Sequence, residues 1–261
     1  NKLPVRLTDE NFKLITCQNI QGEIEAKELE AWNKLIRIMA HEIMNSVAPI
    51  TSLTETCVML LEDENGQQIP QNSVNQRKIA KIRTALKTIV NRSEGLMDFI
   101  GDYRKITRIP EPKISIVELK SFLDKTAQLM HGELNKRNID FTLHIYMEAL
   151  QIAADEKLIQ QVLINLLTNS MEASEVAEKP KIELLAWKNE EYVSIIVKDN
   201  GQGIDQDKLD KIFVPFYSTK EKGSGIGLSL SKQIMQLHNG KIAIDSEKDK
   251  GTEIQLLFPV H

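Results

Sequence analysis

The sequence predicts a chain of two parts, an antiparallel helical hairpin followed by an α/β sandwich domain. Two long segments carry apolar residues at seven-residue steps, which is typical of packed helices. Pro110 and Pro112 then interrupt the pattern, because proline disfavours helical conformation at its own position and just before it. Beyond them, short alternating segments that predict strands lie between amphipathic segments, which favours one sheet covered by helices.

The composition of the 261 residues fits two modest domains and excludes several classes of protein. The net charge is −4, and no basic field or Lys/Arg run indicates a nucleic-acid partner or a lipid surface. Cys17 and Cys57 lie far apart in sequence, so we expect a reduced, intracellular protein without a disulfide framework or a metal site built from cysteines. No apolar stretch reaches the roughly 18 residues of a membrane span, and we expect no signal peptide.

Residues 1–22 predict the end of an upstream domain and a linker. Phe12–Ile20 alternates in part and predicts a short strand, which would have no sheet to join. Gly22 marks the entry to the first long helix. Because the chain starts at Asn1 rather than Met, we expect it to be a piece of a longer protein.

The first helix is predicted from about Ile24 to Leu61, with all but one of its seam positions apolar. The a positions and then the d positions of this seam are Leu29, Ile36, Ile43, Ile50 and Cys57, followed by Trp32, Met39, Ser46, Leu53 and Leu60. Pro49 lies inside the helix, so we expect a local bend, which is either a hinge or a tolerated irregularity.

His41 falls on the f position of this register, facing away from the seam. Glu42 is on g beside it, and Asn45 is one turn along the same side. An imidazole that is to be phosphorylated must be exposed, with a neighbouring acceptor for its proton, and an amide at i+4 can position a water for the reverse hydrolysis. An idle surface histidine is the alternative, since His-Glu-x-x-Asn alone is weak evidence.

A second helix is predicted at about Ser73–Thr107, after a polar turn, and completes a hairpin domain over 23–110. Additional apolar residues widen the stripe on both helices: Leu35, Met44, Val47, Val58, Ala85, Val90 and Met97. Because a two-helix hairpin cannot cover so wide a stripe, we predict a homodimer in which two hairpins form a four-helix bundle. The alternative is a monomer whose stripe packs on the second domain.

The second domain, 111–261, is predicted as an α/β sandwich. The expected strands are at 113–118, 139–146, 181–187, 192–199, 241–246 and 252–258, and the expected helices are at about 117–135, 155–177 and 225–238. Asp155 is the predicted N-cap of the second of these helices.

Asn165 and Asn169 lie one turn apart on that otherwise apolar helix, although asparagine is a poor helix former. Amide oxygens are hard ligands that suit Mg²⁺ held against phosphates, so we predict that both residues bind the metal. A purely structural hydrogen bond remains the alternative for Asn165.

Asp199-Asn-Gly201-Gln-Gly203 follows a predicted buried strand. Its carboxylate can accept a hydrogen bond from the exocyclic amine of a purine, and its glycines let the backbone approach a flat ring. Taken alone, this motif could be an ordinary turn.

A glycine-rich segment then leads into the last helix, with backbone N–H groups and a helix N-terminus that suit phosphates. Its candidate nucleotide-binding residues are Thr219, Lys220, Gly223, Gly225, Gly227 and Leu228. We expect the glycines to make this segment mobile, like a lid. The aromatic run Phe213–Tyr217 before it either anchors the lid, docks on the hairpin or belongs to a local core. No P-loop, His-Arg-Asp or Asp-Phe-Gly motif is present, which excludes those nucleotide-binding families.

Five ordered motifs together resemble the H, N, G1, F and G2 boxes of bacterial two-component sensor histidine kinases, over nearly the whole chain. They are His41-Glu42-x-x-Asn45, Asn165-x-x-x-Asn169, Asp199-x-Gly201-x-Gly203, Phe213-x-Pro-Phe216 and Gly223-x-Gly225-x-Gly227-Leu228. The chain is most similar in appearance to the nitrogen-regulation membrane sensors. The resemblance implies a dimerisation and histidine-phosphotransfer hairpin followed by a Bergerat-fold domain that binds ATP and Mg²⁺.

The same resemblance implies roles for individual residues. Asn169 would hold Mg²⁺ with Asn165 near it, Asp199 would bind the adenine amine, and Thr252 would line the adenine pocket. Two positions depart from many relatives. Ser46 stands where a proline is common, and Glu172 stands where a lysine often contacts phosphate, so the phosphate charge would be met elsewhere, by Lys220 or Lys222.

The predicted function is therefore ATP-dependent autophosphorylation of His41, with Glu42 as general base, followed by phosphotransfer to an aspartate in the receiver domain of a response regulator. Asn45 would serve a reverse phosphatase reaction. We expect a cytoplasmic location, with the inner membrane reached only through upstream segments. Two rivals remain: a dimeric scaffold that binds ATP without transfer, and an ATPase with the same nucleotide fold.

Overall fold

The computed structural model describes residues 2–7, 10–15, 21–62, 66–68, 75–147, 149–220, 223 and 225–260. The chain forms two compact units, residues 1–96 and residues 97–261. The division between them falls within the second long helix. The predicted domain boundary at 110, where that helix has ended, therefore stays a prediction.

The first unit begins with a β-hairpin. Strand β1, Lys2–Leu7, pairs antiparallel with strand β2, Glu10–Ile15. The expectation of a lone strand at Phe12–Ile20 was therefore wrong in its pairing and its start, while residues 16–20 lie outside the described part. Helix α1, Gln21–Leu61, already contains Gly22, because one glycine costs only about 1 kcal/mol in a long helix.

Two long helices form the helical hairpin. Helix α1 is followed by helix α2, which runs from Gln76 to Thr107. Helix α1 continues through Pro49, and the bend expected there stays a prediction. Cys57 on α1 and Ala85 on α2 are buried. Many other apolar side chains of the two helices are exposed in the single chain: Ile36, Ile43, Met44, Val47, Val58, Met59, Leu61, Ile79, Leu86, Val90, Met97 and Ile100.

The second unit alternates short strands and helices after α2. In chain order its elements are β3 Ser115–Glu118, α3 Leu119–Lys136, β4 Asp140–Ile145, β5 Gln151–Ala154, α4 Glu156–Ala173, β6 Lys181–Lys188, β7 Tyr192–Asp199, α5 Gln206–Leu209, α6 Gly227–Leu237, β8 Lys241–Glu247 and β9 Gly251–Pro259. Helix α4 ends in a 3₁₀ turn, Ser174–Val176. Neither β5 nor α5 is predicted by the sequence, because four residues are too few to show a period.

One five-stranded sheet with the order β4-β6-β7-β9-β8 forms the centre of this unit. Strands β4 and β6 are parallel, and the other neighbours are antiparallel. Strands β3 and β5 form a separate antiparallel pair. Helix α4 lies against β6, β7 and β9, and its leucines share a core with the inward residues of the sheet. The predicted α/β sandwich is confirmed at this level.

Helix α4 begins where the sequence predicts, at an aspartate cap. The Asp155 carboxylate accepts hydrogen bonds from the backbone N–H groups of Lys157 and Leu158. It also accepts one from the N–H of Lys113 at 2.8 Å, which is the main cause holding the Asp155 pKa below its ordinary value. The Asp155 N–H in turn donates to the buried ring of His238 at 3.0 Å. This network ties the start of α4 to the end of α6.

Within the described part of the chain, the helices are all too short or too polar to cross a membrane.

Candidate functional site

A cavity of about 610 Å³ opens in the second unit beside α4, the end of β7 and the start of α6. Eleven of the twelve residues predicted to bind nucleotide line it: Asn165, Asn169, Asp199, Gly203, Thr219, Lys220, Gly223, Gly225, Gly227, Leu228 and Thr252. The twelfth, Gly201, lies beside the cavity against α4. Residues from three of the five sequence motifs, together with Thr219, Lys220 and Thr252, therefore share one surface, with a size that suits a small organic ligand.

Asp199 is the buried carboxylate of this cavity, at the end of β7. One carboxylate oxygen, Oδ1, accepts hydrogen bonds from the N–H groups of Gly201 at 2.9 Å and Thr252 at 3.3 Å. Burial raises the Asp199 pKa above its ordinary value, while these N–H groups and the Ser170 hydroxyl oppose the rise. An acceptor so fixed within the cavity can receive a hydrogen bond from a ligand amine.

Two glycines hold the loop after Asp199 close to its surroundings. A Cβ atom on Gly201 would lie 2.4 Å from the backbone of Ala173, at the end of α4. Gly203 has a φ of 63°, and a Cβ atom there would lie 2.0 Å from the carbonyl oxygen of Glu247. Side chains would therefore push the loop away from both α4 and the turn between β8 and β9.

Ser246 supports the same loop, and sequence reasoning missed it. Its buried hydroxyl accepts from the Ile204 N–H at 2.9 Å, donates to the Gly251 carbonyl at 2.9 Å and lies 2.9 Å from the Thr252 hydroxyl. The sequence carried no signal for this role, because Ile204 and Ser246 come together only through the fold.

Asn165 forms a hydrogen bond to another helix of the same domain. Its side-chain amide donates to the Ser231 hydroxyl of α6 at 3.0 Å. A Cβ atom on Gly227 would meet its amide oxygen at 2.0 Å. These contacts favour the structural alternative for Asn165, because the side chain joins α4 to the start of α6. Its predicted metal role stays a prediction.

Asn169 and Glu172 lie one turn apart on α4, and both contact Lys220. The Lys220 ammonium donates to Asn169 Oδ1 at 3.3 Å and forms an ion pair with the Glu172 carboxylate. Lys220, one of the two lysines predicted to meet the phosphate charge, therefore lies beside Asn169, and its contact with phosphate stays a prediction. Lys222, the other candidate, lies outside the described residues.

A second charged group at the cavity, around Asp205, was not predicted. The Asp205 carboxylate pairs with Lys208 at 2.6 Å and Lys248 at 3.1 Å. These two ammonium groups, that of Lys208 foremost, lower the Asp205 pKa. Both lysines line the cavity, but they are tied to a carboxylate.

The aromatic run Phe213–Tyr217 is half-buried and has partners in the second unit. The ring of Phe216 lies 5.0 Å, centroid to centroid, from Phe99 on α2, and the Lys232 ammonium lies over the Phe213 ring. The Phe216 N–H donates to the Gly225 carbonyl at 2.9 Å. The run thus contacts α2 through Phe216 and the glycine-rich segment through Gly225, and its three alternative roles stay predictions.

In the first unit, His41 is exposed on α1, with 72% of its side chain accessible. Its Nδ1 atom lies 3.0 Å from the Asn45 side-chain amide and 3.6 Å from the Glu42 carboxylate. Both neighbours therefore face the same ring nitrogen. The other nitrogen, Nε2, has a free lone pair in the tautomer that carries its proton on Nδ1.

The described residues contain no group of three or more His, Cys, Asp or Glu side chains that could bind a metal by themselves. A divalent ion held jointly by protein and phosphate needs fewer protein ligands. The amide oxygen of Asn169 and the carboxylate of Glu172 are hard oxygen donors on one face of α4, so this corner of the cavity fits Mg²⁺.

Comparisons with known proteins agree with this geometry. Residues 154–261 match the family described as histidine kinase-, DNA gyrase B- and HSP90-like ATPase. The catalytic domain of the histidine kinase ThkA is 32% identical, with a TM-score of 0.52 over 56% of this chain and 97% of that domain. ThkA in complex with the response regulator TrrA has a similar fold, with a TM-score of 0.62, 23% identity and coverage of 95% and 69% of the two chains.

A longer relative extends the similarity to the hairpin. An NtrY-like sensor histidine kinase of Rickettsia prowazekii is 27% identical over 233 residues, or 89% of this chain. The match covers 37% of that relative's length, so the chain spans well under half of it.

Proposed function

Because the chain belongs to the bacterial two-component sensor histidine kinases, we propose that it uses ATP to phosphorylate His41 and passes the phosphoryl group to an aspartate of a response regulator. The observation that supports the proposal most strongly is the gathering of the predicted nucleotide residues around one cavity, with the buried Asp199 carboxylate among them.

The purine is proposed to bind at the Asp199 side of the cavity. The Asp199 carboxylate accepts from the exocyclic amine of adenine, while the Gly201–Gly203 loop allows the ring a close approach. Thr252, whose N–H is bonded to Asp199, lines the same part of the cavity. The phosphates then extend towards Asn169, Lys220 and the N-terminus of α6, where backbone N–H groups and a cation favour negative charge.

Asn169 is proposed to hold Mg²⁺ against the phosphates. The bound ion would neutralise charge on the β- and γ-phosphates. Asn165 contributes in this proposal by fixing the start of α6, through its hydrogen bond to Ser231. Lys220 supplies the positive charge near the phosphates, because Glu172 stands where many relatives have a lysine.

At His41, the proposed nucleophile is Nε2, because Glu42 and Asn45 both lie on the Nδ1 side. In the reactive tautomer the ring proton is on Nδ1, and the Asn45 amide is turned so that its oxygen accepts from this N–H. Attack forms the N–P bond as the bond from the γ-phosphorus to ADP breaks, and Glu42 takes the Nδ1 proton from the ring. At 3.6 Å the carboxylate is just outside hydrogen-bonding distance, so a small change of rotamer has to bring it closer. Asn45 is proposed to position the water that hydrolyses the phosphorylated partner.

Two partners are proposed. One is a second copy of the chain, which would cover the apolar side chains that α1 and α2 expose, and so form a four-helix bundle. The other is the receiver domain of a response regulator, a class of protein that binds the relative ThkA. Cytoplasmic location and anchoring through upstream segments stay predictions.

The proposal is tested by incubating the protein with γ-³²P-ATP and Mg²⁺ and measuring acid-labile label on the protein. We expect label on the wild type and none on His41→Ala. The matched control is His131→Ala, which removes another exposed helical histidine with an asparagine amide 3.2 Å from its ring. This control should label like the wild type.

Equal labelling of His41→Ala and the wild type would refute the acceptor assignment. Steady release of phosphate without any labelled protein would favour an ATPase, and ATP binding with neither result would favour a scaffold.

A further inference from the structure

Glu172 stands out among the residues of the cavity because its charge has the same sign as the proposed phosphates. A carboxylate beside the phosphates of a nucleotide repels them and weakens nucleotide binding, unless a cation lies between the two groups. Its side chain is 40% exposed and lines the cavity one turn from Asn169. The position therefore requires a cation, and Lys220 is the cation that contacts it.

The Lys220 ammonium contacts the same two side chains that would bind a metal ion. It donates to the amide oxygen of Asn169 at 3.3 Å and pairs with Glu172. The other two lysines along the described lining of the cavity, Lys208 and Lys248, pair with Asp205 instead. A metal ion that binds to Asn169 and Glu172 would therefore displace Lys220, rather than Lys208 or Lys248.

We infer that Glu172 is an additional metal-positioning residue, and that its carboxylate and the Asn169 amide exchange the Lys220 ammonium for Mg²⁺ when nucleotide binds. Carboxylate and amide oxygens prefer Mg²⁺ to an ammonium group when phosphate oxygens complete the coordination. Lys220, once released, pairs with the phosphates as a mobile point charge on a flexible stem. This inference rests on the proposed nucleotide site and adds a residue to it.

The alternative is that Glu172 and Lys220 form an ordinary surface ion pair. Partly exposed pairs contribute at most about 1 kcal/mol to folding. Replacing either residue should therefore leave the protein folded under both interpretations. The two differ in metal binding, because a surface pair has no reason to affect the affinity for a divalent ion.

The test measures binding of Mn²⁺, as a paramagnetic substitute for Mg²⁺, to the whole chain with saturating ADP, by electron paramagnetic resonance of the free ion. Glu172→Gln should weaken Mn²⁺ binding roughly 10-fold or more, the range found when supporting groups of metal sites are removed. Its affinity for ADP without metal should stay equal or rise. The matched control is Glu175→Gln, because Glu175 pairs with Arg137 and does not line the cavity. It should not change Mn²⁺ binding.

A second variant tests the exchange from the other side. Lys220→Gln removes the competing ammonium, so Mn²⁺ affinity should stay equal or rise. The preference for ADP over adenosine should fall, because a phosphate partner is lost. Unchanged Mn²⁺ affinity in Glu172→Gln, with ADP still bound, would overturn this inference alone. Absence of ADP binding to the wild type would overturn the proposed function as well.

Discussion

Asp199 shows how one residue can be unfavourable for folding and suited to binding. Burial raises its pKa, so the folded state binds its proton more tightly than the unfolded chain, where an aspartate has a pKa of about 3.9. The stability that Asp199 contributes is therefore greatest at acid pH, and is lost as the pH rises through the raised folded-state pKa. An ionised Asp199 in the cavity would therefore be unfavourable for folding.

Asp199→Asn should accordingly leave the protein folded and weaken its binding of ADP. Asparagine retains the oxygen that accepts from Gly201, but its amide would face the purine amine, donor against donor. We expect ADP affinity to fall about 10- to 100-fold, the loss typical of a hydrogen bond to a charged group. Isothermal titration calorimetry measures this, and unchanged affinity would contradict the proposed purine contact.

The same variant tests the pKa. The free energy of unfolding of the wild type, minus that of Asp199→Asn, should decrease as pH rises from about 4 to 7, since only the wild type must bury the ionised group. Urea unfolding of both proteins across this range gives the difference. A difference that increases with pH would show that the Asp199 pKa is lowered.

At the scale of elements, the loop of Gly203 and the turn between β8 and β9 form one packed unit. The carbonyl of Glu247 lies where a Cβ atom on Gly203 would be, and Ser246 bonds to Ile204 beside it. The loop therefore keeps its shape only while glycine occupies that position.

Gly203→Ala should lower the free energy of unfolding by about 2 kcal/mol or more, since it combines a left-handed backbone with a clash against backbone atoms. Gly132→Ala is the matched control, because Gly132 lies inside helix α3 with open space around it. That change should raise the free energy of unfolding by about 0.5–1 kcal/mol. Thermal denaturation measures both, and equal effects of the two substitutions would contradict the packing described.

Long elements with a repeating apolar pattern could be predicted from the sequence. Short elements and pairings between distant residues could not. Helices α1, α2 and α4 each extend over enough turns for their apolar pattern to show. Helix α4 was predicted to continue to 177, but it ends at Ala173 and a 3₁₀ turn follows. The hairpin partner β1, the four-residue strand β5 and the parallel pairing of β4 with β6 left no local signal.

At the scale of the whole molecule, the apolar side chains that α1 and α2 expose are the feature that favours association with a partner. Leu86, Val90 and Met97 are each more than half exposed in the single chain. A surface of this kind on two long helices favours association with a second hairpin, because each buried methylene contributes about 0.8 kcal/mol.

Leu86→Glu should shift the protein from dimer to monomer by placing a charge inside the proposed bundle. Thr84→Glu introduces the same charge at an exposed position two residues away, on the other side of α2, and should leave the dimer intact. Sedimentation equilibrium distinguishes the two results. A wild type that stays monomeric at high concentration would refute the four-helix bundle.

The sequence by itself determined the order of the motifs, the long helices and the residue types suited to each chemical task, because periodicity and caps act over a few neighbouring residues. It also predicted that His41 is exposed on α1, and the side chain is exposed in the structure. Only the tertiary structure decided which distant residues meet: the Ser246 hydroxyl with the Ile204 N–H, Asn165 with Ser231, and Glu172 with Lys220. Those pairs are joined by sheet pairing and helix packing across 42 or more residues, and no local pattern encodes them.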